Sequence, residues 1–216
     1  TTVLGTLTGD NNANTWSITG GNSGTVNDGT ATLTWSGFGS LTGGSSTDAF
    51  TLSGGTLSGA IDGGLGTNTL TADNVVNTWT ITAPNTGTVT GVGTTFSNIG
   101  NLVGGTNNDT FTFSNTATLT GTVNGGAGGT NILDLSAYLT EVDAILTSAT
   151  ANGYTGTTAG ATNPTGGFSN ITNIKDGTTV LGTLTGDNNA NTWSITGANS
   201  GTVNDGTATL TWSGFG

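Results

Sequence analysis

The chain has 216 residues, of which 40 are glycine and only 6% are charged, with twelve acidic side chains against one basic one. A nucleic-acid partner or an anionic membrane surface needs a basic footprint, which this composition excludes, and no apolar run is long enough for membrane insertion. The chain has no Cys and no His, so no nucleophile with a His or Cys partner can be assembled. We therefore predict no enzyme, no catalytic residue and no nucleic-acid partner.

The first clear predicted strand is NTWSIT at 14–19, within a composition rich in Thr, Val, Ile and aromatic residues and punctuated by Gly and Asn. Trp16 and Ile18 alternate with polar residues, as in a strand with one buried face. We predict that Trp16 fills a core rather than serving as a sugar platform. The same alternation predicts further inward side chains, namely Leu33, Trp35, Trp79, Ile81, Phe111 and Phe113. The fold class predicted is all-β.

A long repeat organises the chain. Residues 1–39 and 178–216 are identical except for Gly21 against Ala198, so the sequence begins again at position 178. We predict one full repeat at 1–177, the start of the next at 178–216, and further copies in a longer parent polypeptide. Such near-identity favours tandem copies of one structural unit.

Weaker sub-repeats lie inside the long one. The phrases SGFGSLTGG, SNIGNLVGG and SNITNIKDG align, and they predict sub-repeats near 1–38, 39–99 and 100–171. Gly-Gly pairs begin at positions 43, 63, 104 and 125, among others. This regular spacing predicts a parallel β-helix (a β-solenoid) with roughly 20 residues per coil. The alternative is a row of tandem small β-sandwich modules.

One segment departs from the pattern. Residues 137–165 are Ala-rich and hold both tyrosines, and four apolar residues (Leu139, Val142, Ile145 and Leu146) have helical spacing. We predict an irregular insertion that could include a short helix. Because exposed insertions on repeat scaffolds often carry binding, the candidate surface contact patch comprises Tyr138, Glu141, Asp143 and Tyr154.

Four glycine-rich phrases, GGSSTDAFTL, GGLGTNTLT, GGTNNDTFTF and GGAGGTNILDL, resemble the nonapeptide of the repeats-in-toxin family. That resemblance implies calcium bound between successive turns by carboxylates and turn carbonyls. The aspartate of the nonapeptide is matched by Asp48 and Asp109 in two of the phrases. In a third phrase asparagine stands at that position, as Asn68. The middle glycine is missing from two phrases, and the phrases recur at more than twice the spacing of the family's nonapeptide. Calcium is the one cofactor considered, and Asp48 and Asp109 are its candidate ligands.

The order FSNIGNLVGGTNNDTFTF followed by TLTGTVNGGAGGTNILDLS resembles the repeats of very large bacterial surface adhesins of the filamentous-haemagglutinin and leukotoxin-like type. The resemblance implies a right-handed parallel β-helix that is secreted to the bacterial cell surface. Its implied role is an adhesin stalk or extracellular filament. Implied partners are copies of itself and a host-cell or matrix surface. A carbohydrate-binding module using Trp16, Trp79 and Tyr138 is a further hypothesis.

Overall fold

The computed structural model describes residues 4–216, and this part of the chain contains strands and turns but no helix. The strands are β1 (Gly5–Thr8), β2 (Thr15–Gly20), β3 (Ser23–Asn27), β4 (Thr32–Ser36), β5 (Phe38–Gly44), β6 (Ala49–Leu52), β7 (Ile61–Gly64), β8 (Thr69–Thr71), β9 (Asn77–Ala83), β10 (Thr86–Val89), β11 (Phe96–Ser97) and β12 (Asn101–Val103). They continue with β13 (Asp109–Phe113), β14 (Thr122–Asn124), β15 (Ile132–Asp134), β16 (Val142–Thr150), β17 (Gly153–Gly160), β18 (Gly167–Ile171), β19 (Asn173–Lys175), β20 (Leu184–Thr185), β21 (Thr192–Gly197), β22 (Ser200–Asn204) and β23 (Thr209–Ser213).

The strands form two mixed sheets. Sheet A has the order β1-β5-β7-β11-β10-β9-β13-β15-β19-β23-β22-β21, and sheet B has the order β20-β16-β17-β18-β14-β12-β8-β6-β2-β3-β4. Along the chain, each pass through one sheet is followed by a pass through the other. A pass is either a single strand or a meander of three consecutive antiparallel strands. The meanders are β2–β4, β9–β11, β16–β18 and β21–β23.

Successive passes through the same sheet pair in parallel. Leu41 pairs with Ile61, and Phe50 pairs with Leu70, so each partner lies one predicted coil length further along the chain. Where a meander intervenes the separation in sequence is longer, as in the pairing of Trp16 with Phe50. The predicted coil length therefore holds only where both passes of a coil are single strands.

The segment 137–165 does not contain the short helix considered from its apolar spacing. Strands β16 and β17 form a regular antiparallel hairpin in sheet B. Val142, Ala144 and Leu146 alternate inward with period two, and Ile145 of the same run is partly exposed. The prediction of a short helix was wrong, because a short apolar run fits both periods and pairing with β17 selects the strand. The predicted irregular insertion is instead a regular hairpin in its central part.

The core lies between the two sheets. Trp16, Ile18, Trp79 and Ile81 are fully buried, as predicted from their alternation. Aromatic rings stack along the parallel ladders, with centroids 5.6 Å apart for Trp16 and Phe50. The equivalent pair in sheet A, Trp79 and Phe111, has centroids 5.4 Å apart. Burying such side chains contributes roughly 1.5–3 kcal/mol each.

Two side chains at inward positions are not buried, because they lie at the ends of the sheets. Leu33 on the edge strand β4 is 54% exposed, whereas its copy Leu210 is fully buried. Trp193, the copy of Trp16, is 41% exposed on the edge strand β21. Each exposure has the same cause, since the side chain faces inward but no further strand lies over that end. Alternation predicts which way a side chain points and cannot predict whether a neighbour covers it.

The all-β fold class is therefore confirmed. The alternative of tandem sandwich modules requires sheets confined to each module. Both sheets here instead take strands from every sub-repeat and from the second long repeat, which counts against that alternative.

Trp16 and Trp193 occupy the same position of one repeated phrase, so they form a matched pair for mutagenesis. We expect Trp16→Ala to lower the free energy of unfolding by about 3–5 kcal/mol, because it empties a packed core site. Trp193→Ala should cost much less, since that ring is only partly covered. Urea unfolding followed by far-UV circular dichroism measures both, and equal losses would contradict the packing described.

Candidate functional site

The structure's most regular polar feature is a pair of ladders made of buried Asn and Asp side chains. We call the ladder beside sheet B the first ladder; it comprises Asn14, Asp48 and Asn68. The second ladder, beside sheet A, comprises Asn77, Asp109 and Asn131. Each member lies at the corner where the chain enters a strand of the next sheet.

Both ladders use the same hydrogen bonds. In the first, the backbone N–H of Asn14 donates to Asp48 Oδ1 at 2.8 Å, and the backbone N–H of Asp48 donates to Asn68 Oδ1 at 2.8 Å. In the second, the N–H of Asn77 donates to Asp109 Oδ1 at 3.0 Å, and that of Asp109 to Asn131 Oδ1 at 3.1 Å. In each ladder, the second and third side chains thus accept a backbone N–H from the corner before the preceding strand of the same sheet.

The amide nitrogens of the ladder asparagines hold the corners closed. Asn68 Nδ2 donates to the carbonyl oxygens of Leu65 and Asn98, at 3.1 and 2.9 Å. Asn131 Nδ2 donates in the same way to Gly128 and Asn170, at 3.2 and 3.0 Å. Buried backbone carbonyls left without a donor would cost about 1–3 kcal/mol each.

The Gly-Gly phrases make room for these side chains. A methyl group on Gly104 would overlap both Asp109 Oδ2 and the carbonyl oxygen of Gly125. A methyl group on Gly43 would likewise overlap Asp48 Oδ2 and the carbonyl oxygen of Gly63. The first glycine in these phrases is therefore needed for packing, whether or not the phrases bind calcium.

The two ladder carboxylates differ in their partners. Both oxygens of Asp48 accept backbone N–H groups, from Asn14 at 2.8 Å and from Gly44 at 2.9 Å. Asp109 Oδ1 accepts from Asn77, while Asp109 Oδ2 is buried and has no hydrogen-bond partner. Burial raises the pKa of Asp109 above its ordinary value, against the opposing effect of the hydrogen bonds from Asn77.

The structure places the predicted calcium ligands apart, Asp48 in the first ladder and Asp109 in the second. Among residues 4–216 no cluster of three or more His, Cys, Asp or Glu side chains is suited to a metal ion. The oxygens of Asp48 already accept N–H donors, and a cation would have to displace them. Calcium binding stays a prediction, and no feature of the ladders favours it.

The predicted contact patch is not a surface patch, because both of its tyrosines are buried in the core. The Tyr138 hydroxyl donates to the carbonyl oxygen of Ala117, and the Tyr154 hydroxyl donates to that of Ala208 at 3.3 Å. Burial raises the pKa of Tyr138, and burial together with the nearby Asp205 raises the pKa of Tyr154 to about 12. The Ala-rich composition suggested an exposed loop, but both tyrosines of the segment belong to the core.

The two acids of that patch remain at the surface. Asp143 Oδ1 accepts the backbone N–H and the hydroxyl of Thr183, both at 2.7 Å, and these bonds lower the pKa of Asp143. Glu141 is exposed. Asp143 therefore ties the hairpin to the start of the second long repeat instead of facing a ligand.

A sugar platform built from Trp16, Trp79 and Tyr138 is also wrong, since all three are buried. The exposed aromatic surface lies elsewhere, at a site that the sequence analysis missed. A shallow depression at the end of the sheets is lined by Leu184, Trp193, Ile195, Trp212, Phe215 and Gly216. We call this the C-terminal end face. The sequence feature that could have revealed this face is the second copy at 178–216, which repeats residues 1–39 but not the residues of β6 that cover them in the first copy.

Comparison with protein families, with curated proteins and with solved structures finds no match to this chain. The part of the chain that the structure describes offers no helix with the length and apolarity that crossing a bilayer would require. The single base, Lys175, forms an ion pair with Asp134 at 3.2 Å. The geometry of the repeat is therefore the feature of this chain that bears on its function.

The ladders give a matched pair of substitutions, Asp109→Asn and Asp48→Asn. We expect Asp109→Asn to raise the free energy of unfolding at neutral pH, because it removes the cost of burying a charged carboxylate whose Oδ2 has no hydrogen-bond partner. Asp48→Asn should lower it by about 1–3 kcal/mol, because one backbone N–H loses its acceptor. Chemical denaturation of the two variants measures the difference.

The effect of Asp109→Asn should also depend on pH. A carboxyl whose pKa is raised by folding stabilises the folded state while it is protonated, and this contribution is lost as pH rises through its folded pKa. The advantage of the asparagine variant should therefore grow as pH rises from the ordinary Asp range upward, and then level off. An advantage that is constant with pH, or a stabilised Asp48→Asn, would contradict the assignment.

Proposed function

We propose that the chain is a non-enzymatic, rod-forming repeat segment of an exported bacterial surface protein, folded as a parallel β-solenoid with meander insertions. It would act as a stalk or filament that holds a distance between a cell and its target. The observation that carries this proposal is the continuity of the parallel ladders across the boundary between long repeats at positions 177 and 178.

Two pairings cross that boundary. In sheet A, Ile174 of β19 pairs in parallel with Trp212 of β23. In sheet B, Ala144 of β16 pairs in parallel with Leu184 of β20. The second repeat thus continues the sheets of the first instead of starting a separate domain. A fold that adds copies this way gains length with each copy while its cross-section stays the same.

The ladders and the stacked rings support the same proposal. In both ladders a corner N–H group bonds to a side chain of the next coil, so these coils depend on one another. Such nearest-neighbour stability is typical of solenoids. The threonine-rich outer faces and the net charge of −11 fit a surface that stays solvated and has no basic patch.

Secretion, attachment at the bacterial cell surface and adhesion belong to this proposal through the sequence resemblance described above. The absence of cysteine means that stability comes from burial and hydrogen bonds without disulfides. A carbohydrate-binding or calcium-dependent module is not favoured as a second function, because no surface observed within residues 4–216 supports either one.

Length measurements test the rod. One repeat holds the strands β1 to β19 shared between two sheets, so at about 4.8 Å per strand each added repeat should lengthen the particle by roughly 46 Å. Small-angle X-ray scattering from chains with one, two and three repeats should show this increment at constant cross-sectional radius. A cross-section that grows with repeat number would contradict the rod.

A further inference from the structure

The C-terminal end face exposes apolar side chains that the fold elsewhere buries. Trp193 is 41% exposed and Ile195 is 76% exposed, and both lie on β21, the outer strand of sheet A. Beside it, β20 forms the outer strand of sheet B. Large apolar residues on an open strand edge normally need a partner.

The same sequence is covered in the first repeat. There Trp16 stacks on Phe50, and β2 pairs in parallel with β6 from Thr15 with Ala49 to Ile18 with Leu52. Strand β1 is covered in the same way by β5, with Leu7 paired to Leu41. The chain therefore contains the end face twice, once with its cover and once without.

The opposite end of the sheets lacks a different set of neighbouring strands. Leu33 is 54% exposed in the first repeat, whereas its copy Leu210 is fully buried next to the preceding repeat. The strand that carries Leu210, β23, pairs with β19, and the hydroxyl of Tyr154 in β17 donates to the carbonyl of Ala208. Within residues 4–216 the first copy therefore has no strands before it, and the second copy has none after it.

We propose that the C-terminal end face is the docking surface for a further copy of segment 40–72, joined directly after Gly216. The copy of β6 would pair with β21 and place its phenylalanine on Trp193. The copy of β5, which begins at Phe215, would extend beside β20. This inference rests on the proposed rod and adds the identity of the segment that continues it.

A second folded chain cannot supply this segment while its own sheets stay intact. Residues 40–52 of a folded copy lie in β5 and β6, which already have parallel neighbours on both sides. They could cover the end face of another molecule only by leaving their own sheets. The segment must therefore come from the same continuous chain.

The junction also exchanges the two sheets. Strand β2 lies in sheet B, whereas β21, with the identical sequence TWSITG, lies in sheet A. The chain passes an odd number of times between the sheets in each long repeat. Identical surfaces of consecutive repeats would therefore face opposite sides of the rod. A partner that binds one such surface would bind alternate repeats on opposite sides.

Tryptophan accessibility tests the docking directly. Of the five tryptophans, all within residues 4–216, Trp193 is the one with substantial exposure. Acrylamide quenching of the 216-residue chain should show one accessible tryptophan, and Trp193→Phe should remove that component. Appending the sequence of residues 40–72 after Gly216 should bury it, leaving no readily quenched tryptophan.

Two controls complete the experiment. An appended segment with alanine at the position of Phe50 should leave Trp193 accessible, and Phe50→Ala in the original chain should add Trp16 to the quenched fraction. Persistent quenching of Trp193 in the extended chain, or an appended segment that stays unfolded by circular dichroism, would overturn the docking. If scattering shows a rod while Trp193 stays accessible, the docking inference fails and the proposed function stands. If the chain with the appended segment forms a compact particle and not a rod, the proposed function fails.

Discussion

The corners between the sheets are the constraint on which this fold depends, because they bury backbone groups that no strand pairing can satisfy. Asn14, Asp48 and Asn68 accept backbone N–H groups or donate to backbone carbonyls at one set of corners. Asn77, Asp109 and Asn131 repeat the arrangement at the other. Without these bonds each crossing would bury unpaired polar groups at a cost comparable to a lost hydrogen bond.

The ladders also explain why glycine and asparagine are so frequent in the composition. A ladder side chain needs space at the preceding corner, and the first glycine of each Gly-Gly phrase provides it, as at Gly43 and Gly104. Asparagine also occupies the left-handed conformation at bends, with a φ of 55° at both Asn98 and Asn170. Both asparagines lie where a meander returns the chain to the other sheet. The low complexity of the sequence therefore reflects the repeated use of one type of corner, built from glycine and asparagine.

The sequence made the alternation of inward and outward residues predictable, and with it the burial of Trp16, Trp79 and Phe111. It made the parallel coil length predictable only where no meander intervenes, since inserted antiparallel strands change the spacing without changing the local pattern. The tyrosines were misjudged because composition cannot reveal that Tyr154 points into the core from the hairpin strand β17, or that Tyr138 is buried just before the hairpin. Identical phrases at Trp16 and Trp193 differ in exposure through their neighbours alone.

The central claim is that strands from successive passes lie side by side in parallel register, and engineered cysteines test it most directly in a chain that has none. Ser17 pairs with Thr51, and Thr51 pairs with Thr71, so Ser17 and Thr71 lie two strands apart. Mild oxidation should join Ser17→Cys to Thr51→Cys, because neighbouring strands bring Cα atoms within disulfide range. The Ser17→Cys, Thr71→Cys variant should stay reduced. Equal cross-linking of both pairs, or preference for the second pair, would contradict the parallel register.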